Sequence, residues 1–146
     1  MSRIALLDVN VLVALFHPDH IHHESAHAWF AVNQGLGWAT SPLTENGVVR
    51  ILANSATMGT HQSVGSVLSR PAVFCSSEGH NFWSDDVSLR DERLFDLSGV
   101  SHRQTTDVYL LGLAVRNGGK LATFDRRIPL DAVVNAPPEC LEVIAA

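Results

Sequence analysis

Two short apolar runs, each halted by an aspartate, set the tightest limit on what this chain can fold into. Arg3 to Leu7 reads Arg-Ile-Ala-Leu-Leu and stops at Asp8, and Lys120 to Phe124 reads Lys-Leu-Ala-Thr-Phe and stops at Asp125. Neither run alternates apolar with polar residues, as a strand with one wet face does. Each therefore reads as a strand covered on both faces, the setting of a parallel sheet. Parallel strands need long crossovers, and the intervening sequence supplies helical patterns for them.

Val9 to Phe16 reads as a helix directly after the first run, and a second helix is expected from about Ile21 to Val32, where Ala26, Trp29 and Phe30 recur at helical spacing. Gly35 and Gly37 end it, and Gly37 to Thr40 is the length of a second strand. Ser41-Pro42 is a strong helix start, with serine as cap and proline in the first turn, ahead of a helix to about Ala53. A helix is expected over His61 to Ser69, ended by Pro71. His80 to Trp83 is a strand candidate and Ser88 to Phe95 a short helix candidate. Thr105 or Thr106 caps an apolar helix through about Arg116, closed by Gly118-Gly119, and Leu141 to Ile144 is a last strand candidate. Strands alternating with helices in this order imply an α/β fold, a three-layer α/β/α sandwich around a mostly parallel sheet. At 146 residues with 46% hydrophobic content the chain suits one domain over 1–146.

Composition narrows the function classes. A net charge of −5 argues against a broad basic face for nucleic acid, so any such contact must be local. Cys75 and Cys140 stand far apart and make neither a disulfide scaffold nor a C-x-x-C motif, so a reduced, cytoplasmic setting is expected. The apolar stretch from Ile4 to Phe16 is interrupted by Asp8 and Asn10 and lacks the cleavage signature of a signal peptide, and no stretch has the length of a membrane span.

Four acids stand in telling places. The carboxyl ends of parallel strands share one edge of the sheet, where open α/β folds bind ligands, and Asp8 and Asp125 both fall there. Glu45 shares a helical stripe with Val48, Val49 and Leu52, and Asp107 shares one with Leu110, Leu111 and Ala114, so both carboxylates face inward. No lysine or arginine lies on either stripe. Acids are also favoured in the first turn of any helix and common in loops after strands, and each position alone has that plainer explanation. Together at one edge they repel unless a cation holds them, and oxygen donors without thiolate or imidazole suit Mg²⁺ or Mn²⁺.

The residues that carry these acids resemble a known family. Leu7-Asp8-Val9-Asn10-Val11-Leu12 resembles the opening D-x-N-x-L signature of PIN domains, and Thr44-Glu45, Thr106-Asp107-Val108-Tyr109-Leu110-Leu111 and Leu121-Ala122-Thr123-Phe124-Asp125 resemble its later blocks. Within the family the chain is most similar to VapC toxins of bacterial toxin–antitoxin pairs, in a subgroup that shares His-Pro-Asp-His-x-His-His at 17 to 23. The resemblance implies a PIN-like fold, a homodimer, a VapB-like antitoxin as partner, RNA as substrate, and Asp8, Glu45, Asp107 and Asp125 as catalytic and metal-holding residues. It places a hydroxyl or amide beside the cluster, at Asn10 and Thr123. Products with 5′-phosphate and 3′-hydroxyl ends are what it implies for the cleavage.

Arg126 and Arg127 follow Asp125 directly and are candidate phosphate contacts, with Arg116 and Lys120 extending the patch; ordinary surface arginines are the plainer reading. The histidines at 17, 20, 22, 23 and 27 include an i, i+4 pair that fits zinc, but a solvated rim near the site is favoured. The acids at 85, 86, 91, 92 and 96 read as solvated surface. Two rivals stand beside the nuclease reading. A dehalogenase-type phosphatase needs a second aspartate where Asn10 stands, and a PIN-like module that binds RNA or protein without cutting does not need four intact acids.

Overall fold

The computed structural model describes residues 3–146. Its strands are β1 (Ala5–Leu7), β2 (Trp38–Thr40), β3 (His80–Phe82), β4 (Lys120–Thr123) and β5 (Leu141–Val143), and its helices are α1 (Val9–Phe16), α2 (His23–Asn33), α3 (Pro42–Leu52), α4 (Ser55–Met58), α5 (Val64–Cys75) and α6 (Thr105–Arg116). The strands form one sheet in the order β3-β2-β1-β4-β5, and every pair is parallel.

The period of two in a strand sends neighbouring side chains to opposite faces, and β1 shows the result. Ala5 and Leu7 join a core with α1, α2, α3 and α5, while Leu6 joins a second core with α6 and the loops around it. Both faces are thus covered, which is why β1 is apolar throughout and β4 buries Leu121, Ala122 and Thr123 in succession. The strand order also fixes where a ligand can enter. From β1 the chain winds outward through β2 to β3, then returns to the other side of β1 at β4. That reversal leaves a crevice beyond the carboxyl ends of β1 and β4, the usual ligand site of open α/β sheets.

Local chemistry explains where the elements begin and end. Ser41 accepts from the Thr44 amide while Thr44 reaches back to the Ser41 amide, and Pro42 opens α3. α1 and α3 pack closely, since a side chain at Gly47 would lie 2.8 Å from Val9 Cγ2. The four C-terminal carbonyls of α1 all find donors: Val13 from the His17 amide, Ala14 from His23 Nδ1 (2.7 Å), Leu15 from His27 Nε2 (2.8 Å) and Phe16 from the Arg70 guanidinium (3.3 Å). The i, i+4 histidine pair at 23 and 27 is therefore spent on capping a neighbouring helix.

Three expectations need correction. The helix expected over His61 to Ser69 is α5, which starts after the Ser63 cap and continues through Pro71 to Cys75. Ser88 to Phe95 is not helical, because the Ser88 and Asp91 side chains capture the amides of Arg90 and Arg93 and turn the backbone instead. α6 is not capped by Thr105 or Thr106; a capping box between Ser101 and Gln104 forms a short 3₁₀ turn that runs into it.

α6 carries Asp107, and its close packing against the Phe95 segment depends on Gly112. A side chain there would lie 2.2 Å from the ring of Phe95, which is itself buried. Gly112→Ala is expected to destabilise the protein by about 1–3 kcal/mol through overpacking, although alanine favours helix over glycine by about 1 kcal/mol. Urea melts at constant slope test this, and a stabilised variant would contradict the packing account.

Candidate active site: an aspartate crevice at the sheet edge

Asp8 is the residue at which β1 becomes α1. Its amide still donates to Ala122 of β4 (3.0 Å), while its carboxylate accepts from the Val9 amide (2.7 Å) and caps the helix. Its other oxygen accepts from the hydroxyl of Thr123, at the end of β4, at 2.7 Å. Thr123 in turn accepts from the Asn10 amide group (3.3 Å) and the Asp125 backbone amide (3.0 Å), and the Asn10 oxygen accepts from the Phe124 amide. Asp8, Asn10, Thr123 and Asp125 are thereby locked into one network joining the ends of two central strands.

Asp107 reaches the network from α6, as its place beside the fully buried Leu110, Leu111 and Ala114 requires. Burial raises its carboxyl first, and the charges of Asp8 and Asp125 and a hydrogen bond with Asp125 raise it further, to about 7; exposed Arg127 pulls weakly the other way. A hydrogen bond between two carboxyl groups needs one of them to keep a proton. Asp8, 4% exposed, is also raised, by burial first and by Asp125, against the lowering effect of its bonds from Thr123 and Val9. Three aspartates from three elements thus share one crevice, and in it Asp8 and Asp107 are made harder to ionise.

Glu45 stands on the same edge of the sheet, one strand across. Its carboxylate accepts from Thr40 at the end of β2, and the Thr40 hydroxyl also lies 2.8 Å from His80 Nε2. Among the described residues, Glu45, Cys75 and His80 have ligand atoms all within 4.8 Å of one another. The structure therefore brings Asp8, Asp107 and Asp125 together and ties Glu45 to a separate group beside them.

Arg126 and Arg127 are exposed at the rim, and the Arg127 backbone and guanidinium both contact Asp125 (2.8 and 3.5 Å). Together with Asn10, His20, Ile21, His22, Phe124 and Asp125 they line a cleft of about 550 Å³. His22 stacks on Phe124 there, with ring centres 4.5 Å apart and planes 18° from parallel. Arg116 does not join this patch. It ends α6, roughly 13 Å along the axis from Asp107 at 1.5 Å per residue, and pairs with Asp91 at 3.2 Å. Lys120 begins β4 at the opposite edge of the sheet and pairs with Glu142 at 2.6 Å.

Asp85, read from the sequence as solvated surface, is half-buried. Its carboxylate accepts from the Leu43 amide (2.8 Å) at the start of α3, and it lies beside Tyr109, whose hydroxyl is pushed up to about 12 by burial, by the Asp85 charge and by a hydrogen bond to it. The only available signal was an acid within a run that also serves as surface. Among the described residues no helix is long and apolar enough to cross a membrane.

The Asp107 shift has a thermodynamic consequence. A carboxyl raised from 3.8 to about 7 binds its proton more tightly in the folded protein, so the stabilisation it gives is complete at low pH and is lost as pH rises through that window. In EDTA the melting temperature is expected to fall between pH 4 and 7, and Asp107→Asn to flatten that fall and melt a few degrees higher at pH 7. Parallel pH profiles for the two proteins would contradict the shift.

The pattern of the PIN domain family matches residues 5–133 of this chain. Ribonuclease VapC39 of Mycobacterium tuberculosis is 47% identical over 122 residues, covering 83% of this chain and 88% of that protein. Ribonuclease VapC44 of the same organism is 40% identical over 141 residues, covering 96% of this chain and 99% of that protein, and Ribonuclease VapC38 is 44% identical over 122 residues, covering 84% and 85%. With one parallel sheet wound outward from β1 in both directions and its aspartates at the reversal, this chain belongs to the PIN-domain family, in its VapC group.

Proposed function

We propose that this chain is a metal-dependent endoribonuclease, the toxin of a toxin–antitoxin pair. The names of its relatives support the reaction, since each is called a ribonuclease. The observation that carries the metal is the convergence of Asp8, Asp107 and Asp125 on one crevice, where burial and the two neighbouring charges raise Asp107 and exposed Arg127 offsets them in part. Carboxylates held in such proximity gain from a cation, and their hard oxygen donors fit Mg²⁺ or Mn²⁺.

Asp8, Asp107 and Asp125 would hold the ion. Bound there, it supplies charge neutralisation at the scissile phosphate and acidifies water. Thr123, through its hydroxyl, fixes the Asp8 carboxylate, and Asn10 fixes Thr123, so both are positioning residues. Glu45, at the carboxyl end of the neighbouring strand β2 and bonded to Thr40, is the fourth acid of the family resemblance and would join the site on release from Thr40. Arg126 and Arg127 are the phosphate contacts, and the His22–Phe124 stack offers an unpaired base a flat surface in the same cleft. RNA contact is thus confined to a small basic rim on a chain of net charge −5. A VapB-like antitoxin that places an arginine or a carboxylate in the crevice would compete with RNA or with the ion, and a homodimer and a cytoplasmic setting complete the reading.

Purified protein with RNA and Mn²⁺ should cut it, and EDTA should stop the reaction. Asp8→Asn and Asp107→Asn should each slow cleavage by at least about a hundredfold, the scale of losing one electrostatic element of a site. Thr123→Val should slow it by about 10–100-fold, as loss of a partner to a ligand does. A binding module without activity predicts no Mn²⁺-dependent cleavage and unchanged RNA affinity in Asp8→Asn; that result would overturn the nuclease reading.

A further inference from the structure

Beside the aspartate crevice lies a second group of ligating side chains with different chemistry. Glu45 comes from the first turn of α3, Cys75 is the last residue of α5 and His80 the first of β3. Their ligand atoms lie within 4.8 Å of one another, and all three residues are half-buried. They surround the Thr40 hydroxyl, which donates to Glu45 and lies 2.8 Å from His80 Nε2 and 3.9 Å from Cys75 Sγ. A hydroxyl has one proton to give, so towards His80 it is the acceptor.

We propose that Glu45, Cys75 and His80 form a binding site for a borderline-soft divalent ion, Zn²⁺ above all, separate from the aspartate crevice. A thiolate, an imidazole and a carboxylate are zinc's usual donors, and the first two are poor ones for Mg²⁺. Zinc bonds of about 2.0–2.3 Å put tetrahedral ligand atoms about 3.3–3.8 Å apart. The three ligand atoms, all within 4.8 Å of one another, must draw closer to reach that spacing, and the Thr40 hydroxyl that now contacts all three must turn aside. On binding, Zn²⁺ forms bonds to Cys75 Sγ, one His80 nitrogen and one Glu45 oxygen, the thiol proton leaves to solvent, and one position stays open. Burial disfavours the charged form of His80; with Nε2–H donating to Thr40 the ring's lone pair lies on Nδ1, so binding through Nε2 requires that proton to move to Nδ1. His80 is held in place: Trp38 packs edge-on against it with ring centres 4.7 Å apart, and the β2–β3 register pairs Trp38 with His80 and Thr40 with Phe82.

The site has a consequence that rests on the nuclease reading above. Zn²⁺ on Cys75 and His80 holds Glu45 away from the aspartates, so occupancy inhibits cleavage. One small device would then couple RNA cutting to free zinc.

The experiment titrates the full chain with Co²⁺ and Zn²⁺. One Co²⁺ per chain with a sulfur-to-cobalt charge-transfer band is expected, displaced by Zn²⁺, retained in Asp107→Asn, and weakened more than about tenfold in Cys75→Ser and in His80→Ala. In the unaltered protein Zn²⁺ should slow alkylation of Cys75, while Cys140, fully buried, stays unreactive either way; this readout needs no variant to fold. Absence of the band, alkylation indifferent to Zn²⁺, or binding lost in Asp107→Asn but kept in Cys75→Ser overturns the site. For the consequence, cleavage in Mn²⁺ is scaled to each protein's zinc-free rate. Zinc should inhibit the wild type at concentrations that leave Cys75→Ser unaffected, and equal inhibition overturns the sharing of Glu45. A protein that shows the cobalt band but cuts no RNA refutes the nuclease reading and leaves the metal site standing.

Discussion

The hydroxyl of Thr123 donates to Asp8 across the join between β4 and β1, and the layout of the whole edge depends on that bond. It sits where the sheet reverses its winding, so the two strand ends it ties are the two that a ligand crevice must separate. Because Asp8 also caps α1 and Asp125 hangs from the same hydroxyl through its backbone, one side chain sets the positions of two carboxylates. Asp107 is then delivered from the opposite layer by a helix whose close packing on Phe95 is permitted by the absence of a side chain at Gly112.

This arrangement stores electrostatic free energy. Burial and mutual repulsion raise Asp8 and Asp107, which a fold selected only for stability has no reason to keep. The same free energy becomes affinity when a dication neutralises the crevice, so a fold that is weakened without metal and a site that binds metal are one property seen from two sides. The histidine-rich segment 17–23 illustrates the opposite economy: His23 and, one turn on, His27 stabilise by capping α1, and only His20 and His22 are left facing the cleft.

Much of this was legible in the sequence, for physical reasons. The strands that hold Asp8 and Asp125 are covered on both faces, so their apolar runs stop sharply at the first charge. Asp107 and Glu45 betray themselves as acids on apolar stripes of helices with clear starts. What could not be read depends on three-dimensional register. The approach of Cys75 and His80 to Glu45 follows from the pairing of β2 with β3, across 30 or more residues of chain. Arg116 was drawn into the site by sequence proximity to Arg126, yet the helix rise carries it to the far end of the molecule's α6 layer. The turn at Ser88 to Phe95 was lost to side chains that compete for backbone amides, a local choice that periodicity does not register.

The central claim is that Asp107 retains a proton at neutral pH because it waits for a metal ion. Calorimetric titration of Mn²⁺ at pH 7 in buffers of different ionisation enthalpy measures the protons released per ion bound. With Asp107 raised to about 7, binding should release about half a proton at pH 7, nearly a full one at pH 6, and almost none at pH 8.5. Mn²⁺ binding that releases no protons at pH 6 and 7, or no binding at all, would contradict the account.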